Sequence, residues 1–361
     1  MNARPGAARP TEAAALNGAA ESEFSGQDSA RSARLAFWFA GCLAVTLLLT
    51  GASLLVGTSS VETSLAWLLA PDAQSSVILW QIRLPRTVGA WFAGALLGLA
   101  GAIAQGVFRN RLADPYLLGT ASGAALGVTI SLLAADASVT ALAWAGKLGI
   151  TAAACIGACA AIALTIVLSR GVLQTASLLL SGIVVAFLLS AVTSLLLLTK
   201  PEVWRTMQVF LLGSTGYLSW SSASLLGLVF VICVIPAALL ARGLDALSLG
   251  EETAQSLGLS LSLLRLSLLG IVSLATASAV GEVGIVGFVG LVAPHLVRET
   301  VTVNHRQLLI GAPLVGGALL QAADLASRWI IRPAELPVGA VTACVGGAYL
   351  VFLLWRRSRH D

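Results

Sequence analysis

The chain has 361 residues, of which 57% belong to the set AVILMFWYC, 36 are Gly and 11% are charged, against roughly a quarter charged in a typical soluble domain. That balance excludes an ordinary water-soluble fold and suits an all-α polytopic membrane protein, because a hydrocarbon core of about 30 Å needs about 20 helical residues per crossing. The net charge of +4 comes from 21 Lys and Arg set singly or in pairs, without a basic stripe, so no nucleic-acid partner is expected.

Residues 1–34 are rich in Ala, Ser, Gly and charges of both signs, too little apolar surface to offset the entropy of ordering, and they read as a disordered cytoplasmic tail. Apolar sequence starts only at Leu35, later than in a cleaved signal peptide, so 35–57 reads as a first transmembrane helix. Further apolar segments follow at about 87–108, 117–134, 148–168, 176–199, 222–241, 263–280, 285–297, 308–331 and 337–355, ten in all. The segment from Ile285 is short for a crossing and is fenced by Gly281, Gly284, Gly287 and Gly290, so a tilted or half-buried helix covered by others is expected there. An even number of crossings puts both termini on one side. With the tail taken as cytoplasmic, fourteen of the 21 basic residues fall on that side and seven on the other, which supports both ends inside, with 358–361 a short cytoplasmic tail.

Small residues four apart allow helix backbones to approach closely in lipid. Gly119, Gly123 and Gly127 make one such ridge, and Gly94 and Gly98, extended by Ala102, another. The five Cys lie in apolar stretches, and none of the three His is near one, so neither a disulfide framework nor a metal site is expected. There is no GxxxxGK[ST], because Gly146-Lys147 is followed by Leu148, and the chain therefore has no P-loop for ATP. An intramembrane enzyme has little to work with: Ser122 lacks the GxSG spacing and its nearest His is far along the chain. An ion-coupled secondary transporter is the other alternative, with Glu282 and Asp324 as its candidate carboxylates. Asp324 and Arg328 are four apart near a helix end, where they can pair, and either pairing or a polar cavity is expected. His295 and His305 read as helix-end hydrogen-bonding residues.

The polar insert from Arg242 to about Ser260 reads RGLDALSLGEETAQSLGLS. Glu251 and Glu252 open a predicted short helix ending at Gly258, in a pattern suited to docking a partner. Next come GEVGIVGFVGLVAPHLVR (281–298), NHRQLL (from Asn304), QAADLASR (321–328) and ELPVG (from Glu335). Together with RLPR (83–86), QGVFRNRLADPYLLGTASGAALG (105–127) and the GEETAQSLGL loop, these segments closely resemble the FecCD family of ABC-importer permeases, which import ferric siderophores, haem and vitamin B12. The resemblance spans about 35–357, with departures at Arg111, Asn304 and Ala348, where the family commonly has Pro, Asp and Pro.

The resemblance implies a type II ABC-importer permease fold over 35–357: a homodimer of ten-helix subunits in the bacterial inner membrane, with membrane lipid around it. Two cytoplasmic ATPase subunits would hold the ATP and magnesium, so this chain would bind no cofactor of its own. A periplasmic or lipid-anchored binding protein would deliver the chelate. The loop at about 242–262 would couple to the ATPase through Leu247, Gly250, Glu251, Glu252, Ala254, Leu257 and Gly258. Arg83, Arg86 and Arg328 would dock the binding protein, and Ser181, Gly182 and Ser190 would line the translocation path.

Overall fold

The structure, a computed structural model, describes the backbone of residues 10–56, 73–134, 143–169, 175–301 and 303–357. The expected tail at 358–361, the first nine residues of the N-terminal tail, and Arg4, Arg9, Arg170 and Arg359 of the charge count lie outside them. Every described regular element is helical. By contact the chain divides after Ala44. Helix α1, Pro10–Leu55, runs through the division. It begins in the Ala-rich stretch of the expected tail, whose residues have high helix propensity. Within the first unit Trp38 and Phe39 meet edge to face, centroids 5.1 Å apart.

In the second unit the organising element is α2, Leu84–Val107, which continues a helical lead-in from Ala73 through a π-helical turn at Ile78–Arg83. Pro85 sits just past that π-helical turn, and the Trp80 carbonyl, one turn back, accepts from Trp220 Nε1. Almost all of α2 beyond that turn is buried. A 3-10 turn at Pro115–Leu118 leads to α3 (Thr120–Ala134), α4 (Ala143–Leu168), α5 (Thr175–Leu197), the amphipathic α6 (Pro201–Leu212) and α7 (Trp220–Ser248). Then come α8 (Glu251–Ser256), α9 (Leu261–Val283), α10 (Val289–Thr300), α11 (His305–Trp329) and α12 (Val338–Arg357). Helices α7, α9, α10 and α11 surround α2, while α3 packs on α4 and α5.

Each of the ten expected segments coincides with a helix. Seven are long and apolar enough to cross a membrane, Thr120–Ala134 and Val338–Leu353 are shorter apolar helices, and α10, at 12 residues, spans only about 18 Å. Two boundaries differ from expectation. Helix α7 carries on through Arg242 to Ser248, so the first part of the polar insert is helix. Helix α6 stands between two spans where the sequence reading placed none.

The glycines explain how α2 can be so enclosed. A Cβ at Gly94 would overlap the Gly316 carbonyl of α11, one at Gly98 the Ala312 carbonyl, and one at Gly101 the Gly290 carbonyl of α10. Gly123 and Gly127 do the same for α3 against Gly157 and Ala153 of α4. Gly119 does not belong to that ridge. It ends the 3-10 turn at φ +78°, a left-handed conformation that Gly adopts without steric cost, and α3 begins one residue later.

Three elements meet through main-chain hydrogen bonds. The Ile285 N–H donates to the Phe210 carbonyl (2.9 Å), the Ser214 N–H to Val283 (2.8 Å) and the Val338 N–H to Gly213 (3.1 Å). The end of α6, the break between α9 and α10, and the start of α12 thus form one junction. Asn304, where the family commonly has Asp, caps α11 in a capping box with Gln307, and Asn serves there as well as Asp.

Candidate functional site

The two ends of α2 carry different polar clusters. At its C-terminal end, α8 is bracketed by Gly250 at φ +118° and Gly258 at φ +79°. The Glu251 Oε1 accepts from Arg265 Nη2 of α9 at 2.6 Å and from Arg109 Nη2, just past α2, at 3.3 Å. Nearby, Asp245 Oδ1 accepts from the His305 backbone N–H (3.1 Å) and lies 2.6 Å from His305 Nδ1, joining α7 to the start of α11. Of the residues expected to couple to an ATPase, Glu252, Leu257 and Gly258 are exposed and Gly250 and Glu251 partly so. Leu247 and Ala254 are buried. They root the loop in the bundle, and Leu249, exposed beside Gly250, adds to its outward face.

At the opposite end, Asp324 of α11 is 1% exposed. Its Oδ1 accepts from Arg86 Nε (2.9 Å) and the Thr215 hydroxyl (2.5 Å), and its Oδ2 from Arg328 Nη2 (2.7 Å). Arg86 also grips Glu335 through both terminal nitrogens, at 3.1 and 2.9 Å. Arg328 reaches the carbonyls of Ser53 (3.1 Å) and Val56 (2.7 Å), and Arg83 that of Leu54 (2.5 Å), so two guanidiniums satisfy carbonyls at the end of α1 that have no helical partner. The expected i,i+4 pairing of Asp324 with Arg328 is present. Arg83 and Arg328 are 6% and 5% exposed, and Arg86 is held by two carboxylates. A docking charge must reach solvent; here Glu202 and Arg205 of α6 do.

The expected path residues separate. Gly182 is buried, where a Cβ would overlap the Leu117 carbonyl, and Ser181 is half-buried. Gly182 thus allows α5 to approach the 3-10 turn closely. Ser190 is exposed, donates to the Ser122 hydroxyl at 3.0 Å, and lines a depression of about 390 Å³ with Asp114, Tyr116, Leu117, Ile183, Ala186 and Phe187. Asp114 and Tyr116 were not singled out from sequence, although Asp before Pro-Tyr is a turn-capping signal. The Asp114 carboxylate caps the Tyr116 N–H at 2.8 Å, and burial pushes its pKa up to about 6. The Tyr116 hydroxyl donates to Val286 at 3.1 Å, next to the main-chain junction.

The alternatives fare poorly on these contacts. Ser122 partners Ser190, while His295 stacks edge-on against Tyr349 at 5.9 Å. Asp324 is saturated by two arginines, and Glu282 accepts from Thr151 at 3.0 Å. Among the described residues no group of three His, Cys, Asp or Glu is placed to hold a metal ion.

Comparison with known proteins covers nearly the whole chain. The sequence profile of the FecCD transport family matches residues 43–356. The hemin transport system permease protein HmuU of Yersinia pestis is 36% identical over 326 residues, covering 90% of this chain and 96% of that one. The vitamin B12 import system permease protein BtuC of Escherichia coli O6:H1 is 33% identical over 329 residues, covering 88% and 95%. A solved metal-chelate type ABC transporter in an inward-facing conformation superposes with a TM-score of 0.76 at 28% identity, covering 87% of this chain and 97% of that one.

Proposed function

Since the chain belongs to the FecCD transport family, we propose that it passes a metal chelate, of the haem, cobalamin or ferric siderophore type, across the bacterial inner membrane into the cytoplasm. It is a multi-pass permease subunit of an ABC importer. The observation that carries the chelate reading is the coverage: relatives named for hemin and for vitamin B12 both match almost end to end, with no extra domain needed to account for the match.

The partners follow from what the chain presents. Two ATPase subunits, holding ATP and magnesium, grip the exposed side of α8 and Leu249 of a homodimer, and closure on ATP shifts the populations of inward-open and outward-open arrangements. A binding protein approaches the other end, where Glu202, Arg205 and Glu335 offer charge; exposed ion pairs are worth about 0–1 kcal/mol each, so they orient more than they hold. In this reading both termini are cytoplasmic and α10 counts as the eighth of ten membrane segments. Ser190 and the depression beside it face the path, whose weakly polar wall suits a bulky chelate that must be released.

The test is uptake of labelled chelate into vesicles containing the chain with its ATPase and binding protein. ATP-dependent accumulation is expected. Accumulation by the chain alone on a proton or sodium gradient would overturn the reading.

A further inference from the structure

Helix α8 has six residues, far fewer than the 12–15 or so at which an isolated helix becomes even marginal. It also has a glycine in a positive-φ conformation on each side, Gly250 and Gly258, so left to itself it would swivel. Two things hold it: Ala254, fully buried beneath it, and the Glu251 carboxylate, shared by Arg265 and Arg109. The two arginines belong to different elements. Arg265 lies in the second turn of α9, with its side chain 5% exposed against 32% for Glu251. Arg109 closes the end of α2 at φ +49°, a region that non-glycine residues enter rarely.

We propose that Glu251 is the charge hub through which α8 moves α2 and α9 together, with Arg265 as its positioning residue. This rests on the ABC-permease reading above. The physical reason is leverage: a push on a short helix hinged at two glycines is carried into the bundle only if one of its side chains is fixed to a stiff partner. The buried guanidinium at 2.6 Å is that partner. The Asp245–His305 contact ties α7 to α11 at the same end and leaves the α8 hinge to Glu251. Without Arg265 the ATPase still turns over and α8 swivels, so hydrolysis is no longer converted into movement of cargo.

The test uses the full transporter in vesicles, with hemin, cyanocobalamin and ferrichrome each offered and the one that the wild type accumulates taken as probe. The readout is probe accumulated per ATP hydrolysed, which does not depend on how much complex assembles. Arg265→Met should lower that ratio about tenfold, within the range of coupling effects between sites. Arg265→Lys should restore most of it, and Arg109→Gln, removing the longer and more exposed arm, should lower it about threefold. A ratio for Arg265→Met within about twofold of wild type overturns the hub. If that variant fails to assemble, an unchanged ratio for Arg109→Gln does so instead. A wild type that accumulates none of the probes sinks the function reading, and the hub falls with it; a coupled wild type with an indifferent Arg265 sinks the hub alone.

Discussion

The two polar clusters at the ends of α2 use the same residue types and are built in opposite ways. Around Asp324, two carboxylates and three guanidiniums interlock with hydroxyls and helix-end carbonyls from α1, α2, α11 and the turns after α6 and α11. Around Glu251, one half-exposed carboxylate faces two arginines beside a glycine-hinged helix. Buried charges demand complete compensation, so the first cluster has one stable arrangement. The second is partly hydrated and tolerates movement. The chain is fixed at one end of α2 and articulated at the other.

Removing Asp324 should expose the difference most sharply. Asp324→Ala leaves Arg86 and Arg328 without their shared partner, a loss of about 3–5 kcal/mol for a broken buried pair, read as collapse of folded yield and thermal stability in detergent. Glu251→Ala should barely move either measurement, and equal losses from both would erase the contrast. Gly258→Pro comes next. Proline cannot adopt φ +79°, and the Gly258 N–H bond to the Gln255 carbonyl is lost. The loop distorts without disturbing the bundle, so membrane insertion should survive while cargo-stimulated ATPase activity disappears.

A smaller effect separates Asp114 from both clusters. Its folded-state pKa, about 6, lies above the ordinary 3.8, so the folded chain holds that proton more tightly than the unfolded one. The stability it contributes is complete below about pH 4 and is lost as pH rises through 6. Asp114→Asn should flatten the fall in denaturation midpoint between those values; an unchanged slope would mean that the carboxyl is not buried as described. The smallest effect is expected at Arg205→Glu, on the exposed face of α6. Stability should change by less than about 1 kcal/mol, and binding-protein affinity should fall more at low salt than at high. Arg86→Glu, by contrast, should unfold before it undocks.

Much of the scaffold was legible because it follows from local rules. Apolar runs marked out where helices stand, the i,i+4 spacing gave Asp324 with Arg328, and the four-residue spacing gave Gly94 and Gly98. Errors arose where a residue's neighbours come from distant sequence. RLPR reads as a pair of outward arginines, yet Arg86 is held by Asp324, more than two hundred residues later, and Arg83 by the Leu54 carbonyl. Gly119 has the spacing of a packing ridge, but the proline and capping aspartate before it make a 3-10 turn that only left-handed Gly closes. The Glu251–Arg109 pair, with a separation of 142 residues, leaves no local trace at all.

The junction of Phe210, Gly213, Ile285 and Val338 is made of amide hydrogens and carbonyl oxygens. It leaves no room for side chains at the glycines that frame it: a Cβ at Gly284 would overlap the Phe210 carbonyl, and one at Gly339 the Leu212 and Ile285 carbonyls. A single-codon insertion or deletion in the Gly284–Phe288 break should cripple the protein, and so should Gly284→Ala or Gly339→Ala, because both the register and the close backbone approach are needed for this knot.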